Sequence, residues 1–134
     1  MSAEQRATYL DSSAIVKLAV AEPESAALRR YLRRRQPLVS SALARTEVVR
    51  ALLPLGEQAV RRGHAVLARL ALIRISDSIL SAAAQLLPAE VRTLDAIHLA
   101  TAQQLGRDLA RIVTYDERLR SAAAATGCLI AAPR

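Results

Sequence analysis

The feature that most restricts what this chain can become is an alternation. Short aliphatic and β-branched runs are each followed by a stretch with helical periodicity. Residues 7–10 read as a strand that ends at Asp11, and Ser12 or Ser13 then caps a helix to about Val20, which Pro23 interrupts. A second helix over about 24–34 carries Ala27, Leu28, Tyr31 and Leu32 on one apolar stripe. Residues 37–40 form the next strand. Ser41 opens a helix with Val48, Val49, Leu52 and Leu53 turned inward, closed by Pro54 and Gly56. A further helix, irregular at Gly63, reaches about Arg69 and leads to a strand over 71–75. Ser76 or Asp77 caps a helix that ends near Leu87, before Pro88. Thr93 caps a helix over 94–105 that Gly106 terminates. Residues 111–115 are a strand, Asp116 begins another helix, and 128–130 close the pattern as a short strand. Strands separated by helices imply right-handed βαβ crossovers, hence an α/β fold with a mainly parallel sheet.

No repeat or linker divides the 134 residues, so the pattern describes one domain over 1–134 with its core at about 7–131. A chain of this length buries about 68% of the surface its unfolded form exposes. It needs no disulfides, and Cys128 is its single cysteine, read as a small buried hydrophobe in the last strand. The polar start carries no apolar segment of signal-peptide length, and no run approaches the roughly 18 apolar residues of a membrane span. The expectation is a soluble, cytoplasmic protein that makes no membrane contact. Only three tyrosines, no tryptophan and no phenylalanine count against base stacking on an aromatic platform as the mode of recognition. The net charge is +7 and Lys17 is the only lysine, so arginine supplies the basicity. Such a surface suits nucleic acid or an acidic protein partner, and composition does not separate the two.

Chemistry concentrates where open parallel sheets bind ligands, outside the carboxyl ends of the strands. Asp11 follows one strand in ATYLDSSA and Asp116 another in RIVTYDERL. If those strands are neighbours, the two carboxylates converge. Asp95 falls in the first turn of TLDAIHLATA, and Glu47 lies in SALARTEVVRAL at the margin of a buried face. Taken singly, each Asp reads first as a helix cap and Glu47 as a solvated charge. Caps do not need to converge, whereas metal ligands do.

These segments carry a resemblance. YLDSSAIVKL, then Ser41, Glu47, Arg50, Ala51 and Leu52 in an S-x(5)-E-x-x-R-A-L helix, then TLDAIHLATA, then VTYDERL, resemble the PIN-domain family from about Thr8 to Ile130. Within that family they look most like the single-domain VapC-type toxins of toxin–antitoxin pairs. All four acidic positions are filled in order. The resemblance implies a three-layer α/β/α fold and a divalent-metal endoribonuclease that cleaves RNA. It also implies a cognate antitoxin partner and a homodimer.

On that reading Asp11, Glu47, Asp95 and Asp116 are the candidate catalytic, metal-binding acids, and their hard oxygens select Mg²⁺, with Mn²⁺ as a substitute. Two carboxylates about 5 Å apart repel by roughly 3 kcal/mol at an effective dielectric of 20, so the metal-free site should hold raised carboxyl pKa values. Ser13, and less directly Ser12 and Thr114, are candidate donors to a ligand or scissile phosphate; helix capping or core satisfaction is their plainer role. Arg50, one turn from Glu47, is a candidate phosphate contact that also orients Glu47. The run Arg29, Arg30, Arg33, Arg34 and Arg35 suits phosphates, a dimer contact, an acidic partner or plain solvation. His98 reads as a packed or capping residue and His64 as exposed. The competing reading is a PIN-like module that binds RNA or protein without cutting. A receiver domain lacks its acidic pair and late lysine here, and a dehalogenase-type phosphatase lacks D-x-D after the first strand. No G-x-x-x-x-G-K cradle exists for a nucleotide triphosphate.

Overall fold

The computed structural model describes residues 6–134, which places the polar first five residues outside the account that follows. Five strands form one sheet, in which every neighbouring pair is parallel. They are β1 (Ala7–Leu10), β2 (Leu38–Ser41), β3 (Ala71–Ile73), β4 (Leu109–Val113) and β5 (Ile130–Ala131). Seven α-helices connect them: α1 (Ser12–Ala19), α2 (Ser25–Leu32), α3 (Ala44–Leu52), α4 (Glu57–Ala68), α5 (Asp77–Ala84), α6 (Thr93–Gln103) and α7 (Glu117–Ala125). Single 3-10 turns follow α3 and α6.

The strand order is β3-β2-β1-β4-β5. The chain therefore builds outward from β1 in one direction, then returns to add β4 on the other side. The β1/β4 junction is the switch point, where a crevice opens beyond the strand ends. Alternation along the strands splits the core into two. Leu10 and Val113 pack with Ile15, Leu28, Val48, Leu52 and Leu67 beneath α1–α4. Tyr9 and Ile112 pack with Leu99, Ala102 and Leu119 beneath α6 and α7. The result is the three-layer α/β/α arrangement.

Several local expectations need correction. The α1 cap is Asp11 itself, whose carboxylate accepts from the Ala14 N–H, and Ser12 and Ser13 lie inside the helix. Ser41 ends β2 and does not open α3, because its hydroxyl is spent on the Leu43 N–H of the connecting turn. Thr93 is the first residue of α6, and Arg92 stands at its N-cap with no side-chain cap bond. Val48 and Leu52 are buried as expected, but Val49 is only half-buried and Leu53 is exposed where the helix tightens ahead of Pro54. Cys128 precedes β5 and is half-buried, with its sulfur 3.3 Å from the Thr126 hydroxyl. Among the described residues no helix is long and apolar enough to cross a membrane.

Gly63 sits in a regular α4 and is not an irregularity. It is there because α3 approaches closely: a Cβ on residue 63 would lie 2.4 Å from Leu52 Cδ1. Leu52 is fully buried and has little room to swing away. Alanine here gains about 1 kcal/mol of helix propensity, yet overpacking of a full core costs about 1–3 kcal/mol. Gly63→Ala is therefore expected to lower the unfolding free energy in urea by about 1 kcal/mol, and a stabilised variant would show that the α3–α4 contact is loose.

Candidate active site at the β1–β4 junction

The register pairs Leu10 with Val113, so the residues just beyond them, Asp11 and Thr114, emerge side by side. The Asp11 N–H still reaches the Val113 carbonyl at 3.2 Å. Asp11 is buried, 4% exposed, and its carboxylate accepts three further bonds. Ser13 Oγ and the Ala14 N–H donate to Oδ1 at 2.7 and 3.1 Å, and Thr114 Oγ1 donates to Oδ2 at 2.6 Å. Burial pushes the Asp11 carboxyl pKa up, and the bonds from Thr114, Ser13 and Ala14 offset only part of that.

Thr114 Oγ1 also accepts from the Asp116 N–H at 3.1 Å, which links the two aspartates through one hydroxyl. Asp116 is the N-cap of α7; its Oδ1 accepts from the N–H groups of Arg118 and Leu119 at 2.8 and 3.3 Å. It is exposed. Asp95 lies in the first turn of α6, half-buried, and its carboxylate accepts no hydrogen bond among the described residues. Its pKa is raised, first by burial and then by the charge of Asp116, with a smaller push from Glu47. From the sequence alone, such shifts are expected to arise from mutual repulsion. The structure makes burial the leading cause, and only at Asp95 do neighbouring carboxylates add to it.

Glu47, in the first turn of α3, is held from two sides. Ser12 Oγ donates to Oε1 at 2.6 Å, and His98 Nε2 lies 2.6 Å from the same oxygen. Burial alone would raise its pKa, but the bonds from His98 and Ser12 win and hold it below the usual value. Arg50 does not orient Glu47: it is exposed and makes no hydrogen bond to it. The hydroxyls of Ser13, Thr114 and Ser12 are likewise spent on acids and do not stand free for a ligand.

Hydrogen bonds thus link Asp11 to Asp116 at the mouth beyond β1 and β4, and Asp95 feels the charges of Asp116 and Glu47. Among the described residues, however, no three His, Cys, Asp or Glu side chains form a ready ligand group. In donor chemistry the mouth suits a hard divalent cation. It offers only carboxylate oxygens, one carboxylate without a hydrogen bond, and on Glu47 one oxygen, Oε2, without a partner. A cavity of about 500 Å³ continues from Asp95 between α6 and α7, with Arg92 and Arg118 on its wall. The sequence reading did not single out these two arginines, since their approach depends on the packing of α7 against α6. The run from Arg29 to Arg35 is elsewhere: Arg29 and Arg33 line a separate cavity with Arg69.

The sequence profile of the PIN domain matches residues 8–125. The chain belongs to the PIN-domain family. This PIN domain is 64% identical over 127 residues to Ribonuclease VapC46 of Mycobacterium tuberculosis, a match that spans 95% of this chain and 98% of that relative. Its fold is shared with the crystal structure of M. tuberculosis VapC20, a toxin that cleaves the sarcin–ricin loop, at a TM-score of 0.74 and 17% identity over 94% of this chain and 99% of the other. A toxin–antitoxin complex from Klebsiella pneumoniae has a chain that superposes with a TM-score of 0.71 at 22% identity, over 95% of this chain and 98% of its own.

The raised pKa of Asp11 has a sign that can be measured. A carboxyl whose folded pKa lies above its unfolded value, about 3.9 for Asp, draws stability away as pH rises past that value. Asn at position 11 keeps acceptor and donor atoms for Ser13, Ala14 and Thr114 but carries no charge. In EDTA, the melting temperature of Asp11→Asn relative to wild type is expected to rise as pH goes from 4 to 7, by about 3 °C for each kcal/mol gained. A difference that stays flat over this range would show that Asp11 is not strained by its charge.

Proposed function

We propose that this PIN domain is a Mg²⁺-dependent endoribonuclease, the toxin of a toxin–antitoxin pair that acts in the cytoplasm. The observation that carries the reading is the Asp11–Thr114–Asp116 link at the switch point of the sheet, with Asp95 in the field of Asp116 and Glu47, in a chain 64% identical to a relative named a ribonuclease. Asp11 and Asp95 are the main candidate ligands, and Asp116 and Glu47 complete the shell directly or through water. A bound divalent cation would supply an acidified water and a positive counter-charge for phosphodiester cleavage.

The chain's own residues do the rest. Ser13, Ala14 and Thr114 fix Asp11 so that its orientation does not depend on the metal. The free carboxylate of Asp95 and the unpartnered Oε2 of Glu47 supply adaptable oxygens. Arg92 and Arg118 flank the cavity beside Asp95, where they can hold phosphates of the RNA on either side of the cut. The exterior charge draws a polyanion toward a locally negative mouth, and the metal completes the match. The antitoxin partner is carried over from the Klebsiella pneumoniae toxin–antitoxin complex, one chain of which shares this fold. A homodimer is supported by the exposed Leu80 and Leu87, which line one groove with Ala96 and Ile97. Sedimentation as a monomer at tens of micromolar would remove that assignment.

Purified protein is expected to cleave RNA with Mg²⁺ or Mn²⁺ and to stop when EDTA is added. Asp95→Asn should abolish cleavage while keeping the fold, and should restore the growth that expression of the wild type arrests. RNA bound tightly by wild type yet left intact with every divalent metal would favour the non-catalytic binding module instead. Affinity for single-stranded RNA should fall steeply with salt. Arg118→Ala is expected to make the log–log slope shallower by about 0.7, one phosphate contact on a single strand. An unchanged slope would place the strand elsewhere.

A further inference from the structure

His98 is 4% exposed, on a helix whose other buried residues are apolar or small. A buried imidazole with no role would be expected to satisfy itself on backbone groups nearby. His98 does not. Its Nδ1 lies 2.7 Å from the hydroxyl of Tyr9, a fully buried residue in the central strand, and its Nε2 lies 2.6 Å from Glu47 Oε1. The Tyr9 and His98 rings meet edge to face, with centroids 5.9 Å apart and planes at 80°, so the imidazole cannot rotate without breaking that packing.

Proton counting fixes the direction of the chain. The Glu47 carboxylate can only accept, so Nε2 must carry a hydrogen and donate it. Where the imidazole is neutral, Nδ1 is then an acceptor and takes the Tyr9 O–H. Tyr9 thus selects the tautomer that donates to Glu47. The second donor to Glu47, Ser12 Oγ, uses the same oxygen. Both bonds fall on Oε1, and Oε2 has no hydrogen-bond partner among the described residues.

We propose that His98 is a positioning residue for this site: anchored by Tyr9, it acts with Ser12 to pin Glu47 by one oxygen, so that the other is presented to a cation or its bound water. The inference rests on the nuclease reading only for what Oε2 receives; the Tyr9–His98–Glu47 chain stands apart from it. Outer partners of ligating carboxylates typically change metal affinity or activity by 10- to 100-fold when lost.

Two substitutions separate this role from packing. Gln at position 98 keeps an N–H at the reach of Nε2, whereas Asn offers one only at the reach of Nδ1. His98→Asn is expected to lower kcat for RNA cleavage at least tenfold with KM within about threefold, and to weaken Mn²⁺ binding about tenfold by electron paramagnetic resonance. His98→Gln should recover most of both, at a melting temperature similar to that of His98→Asn. Equal losses in the two variants that track their melting temperatures would overturn the proposal and leave a packing residue. A third readout needs neither metal nor RNA. In the metal-free wild type, ¹H–¹⁵N spectra should show His98 protonated at Nε2 and slow to exchange, with that protection lost in Glu47→Ala. An imidazole protonated only at Nδ1 would end the proposal, since it has nothing to donate to Glu47. If the wild type cleaves no RNA, the nuclease reading fails by itself, and the Mn²⁺ and spectroscopic results still decide the role of His98.

Discussion

A carboxylate taken out of water at the junction of β1 and β4 is the constraint around which the rest of this molecule is arranged. Asp11 gives up most of its hydration and receives three donors in return, from Ser13 and Ala14 on α1 and from Thr114 beyond β4. Those donors do not fully compensate, as the raised pKa shows. They do tie the first helix to the returning strand. The N-terminus of α1 lies against the same carboxylate, and its dipole favours the negative charge there. A fold that needed only a helix cap would use Ser or Asn in this place, without the cost of a buried charge. On the proposed nuclease reading, a bound cation would offset that cost.

The four acids differ in how firmly they are held, and the gradient has a direction. Asp11 is buried and bonded through both oxygens. Glu47 is pinned through one oxygen, and Asp116 is exposed with its Oδ1 engaged by α7 amides. Asp95 accepts no hydrogen bond among the described residues and feels the charges of its neighbours. A rigid acid at the back and looser ones at the front describe a mouth that can close on a cation, which suits an ion that keeps several waters and demands near-octahedral geometry. It also accounts for carboxylates that share a field without standing in ligating order.

What was legible in the sequence, and what was not, follows from the range of the physics involved. The order of elements could be read because strand and helix periods are local, and Asp11 and Asp116 could be placed at strand ends for the same reason. That their strands are neighbours required the register of Leu10 with Val113, a tertiary fact. Capping was misjudged at Ser12, Ser13, Ser41 and Thr93, because a hydroxyl near a helix start has several partners in reach: Ser12 donates to the distant Glu47, and Ser13 donates to Asp11 while accepting from the distant Tyr115 N–H. Arg50 looked like the partner of Glu47 on the strength of helical spacing. In the structure Glu47 turns toward residues 35 positions earlier and 51 later, and spacing along one helix cannot reveal either.

The bond between Glu47 and His98 has a consequence for how the site is assembled. Glu47 stands on α3, which packs on one face of the sheet with Leu10 and Val113; His98 stands on α6, which packs on the other with Tyr9 and Ile112. Their contact closes over the carboxyl end of β1, where the sheet that separates the two layers has stopped. Ser12, one residue past Asp11, meets Glu47 at the same point. Each helical layer can therefore form its own apolar core without creating the mouth. Only when both are seated on the central strand do Tyr9, Asp11 and Ser12 bring the acids of α3 and α6 to one place. The polar chain across the end of β1 carries little of the burial that drives folding, but it sets which arrangement of the two layers is competent, and so the precision of the site depends on the sheet between them.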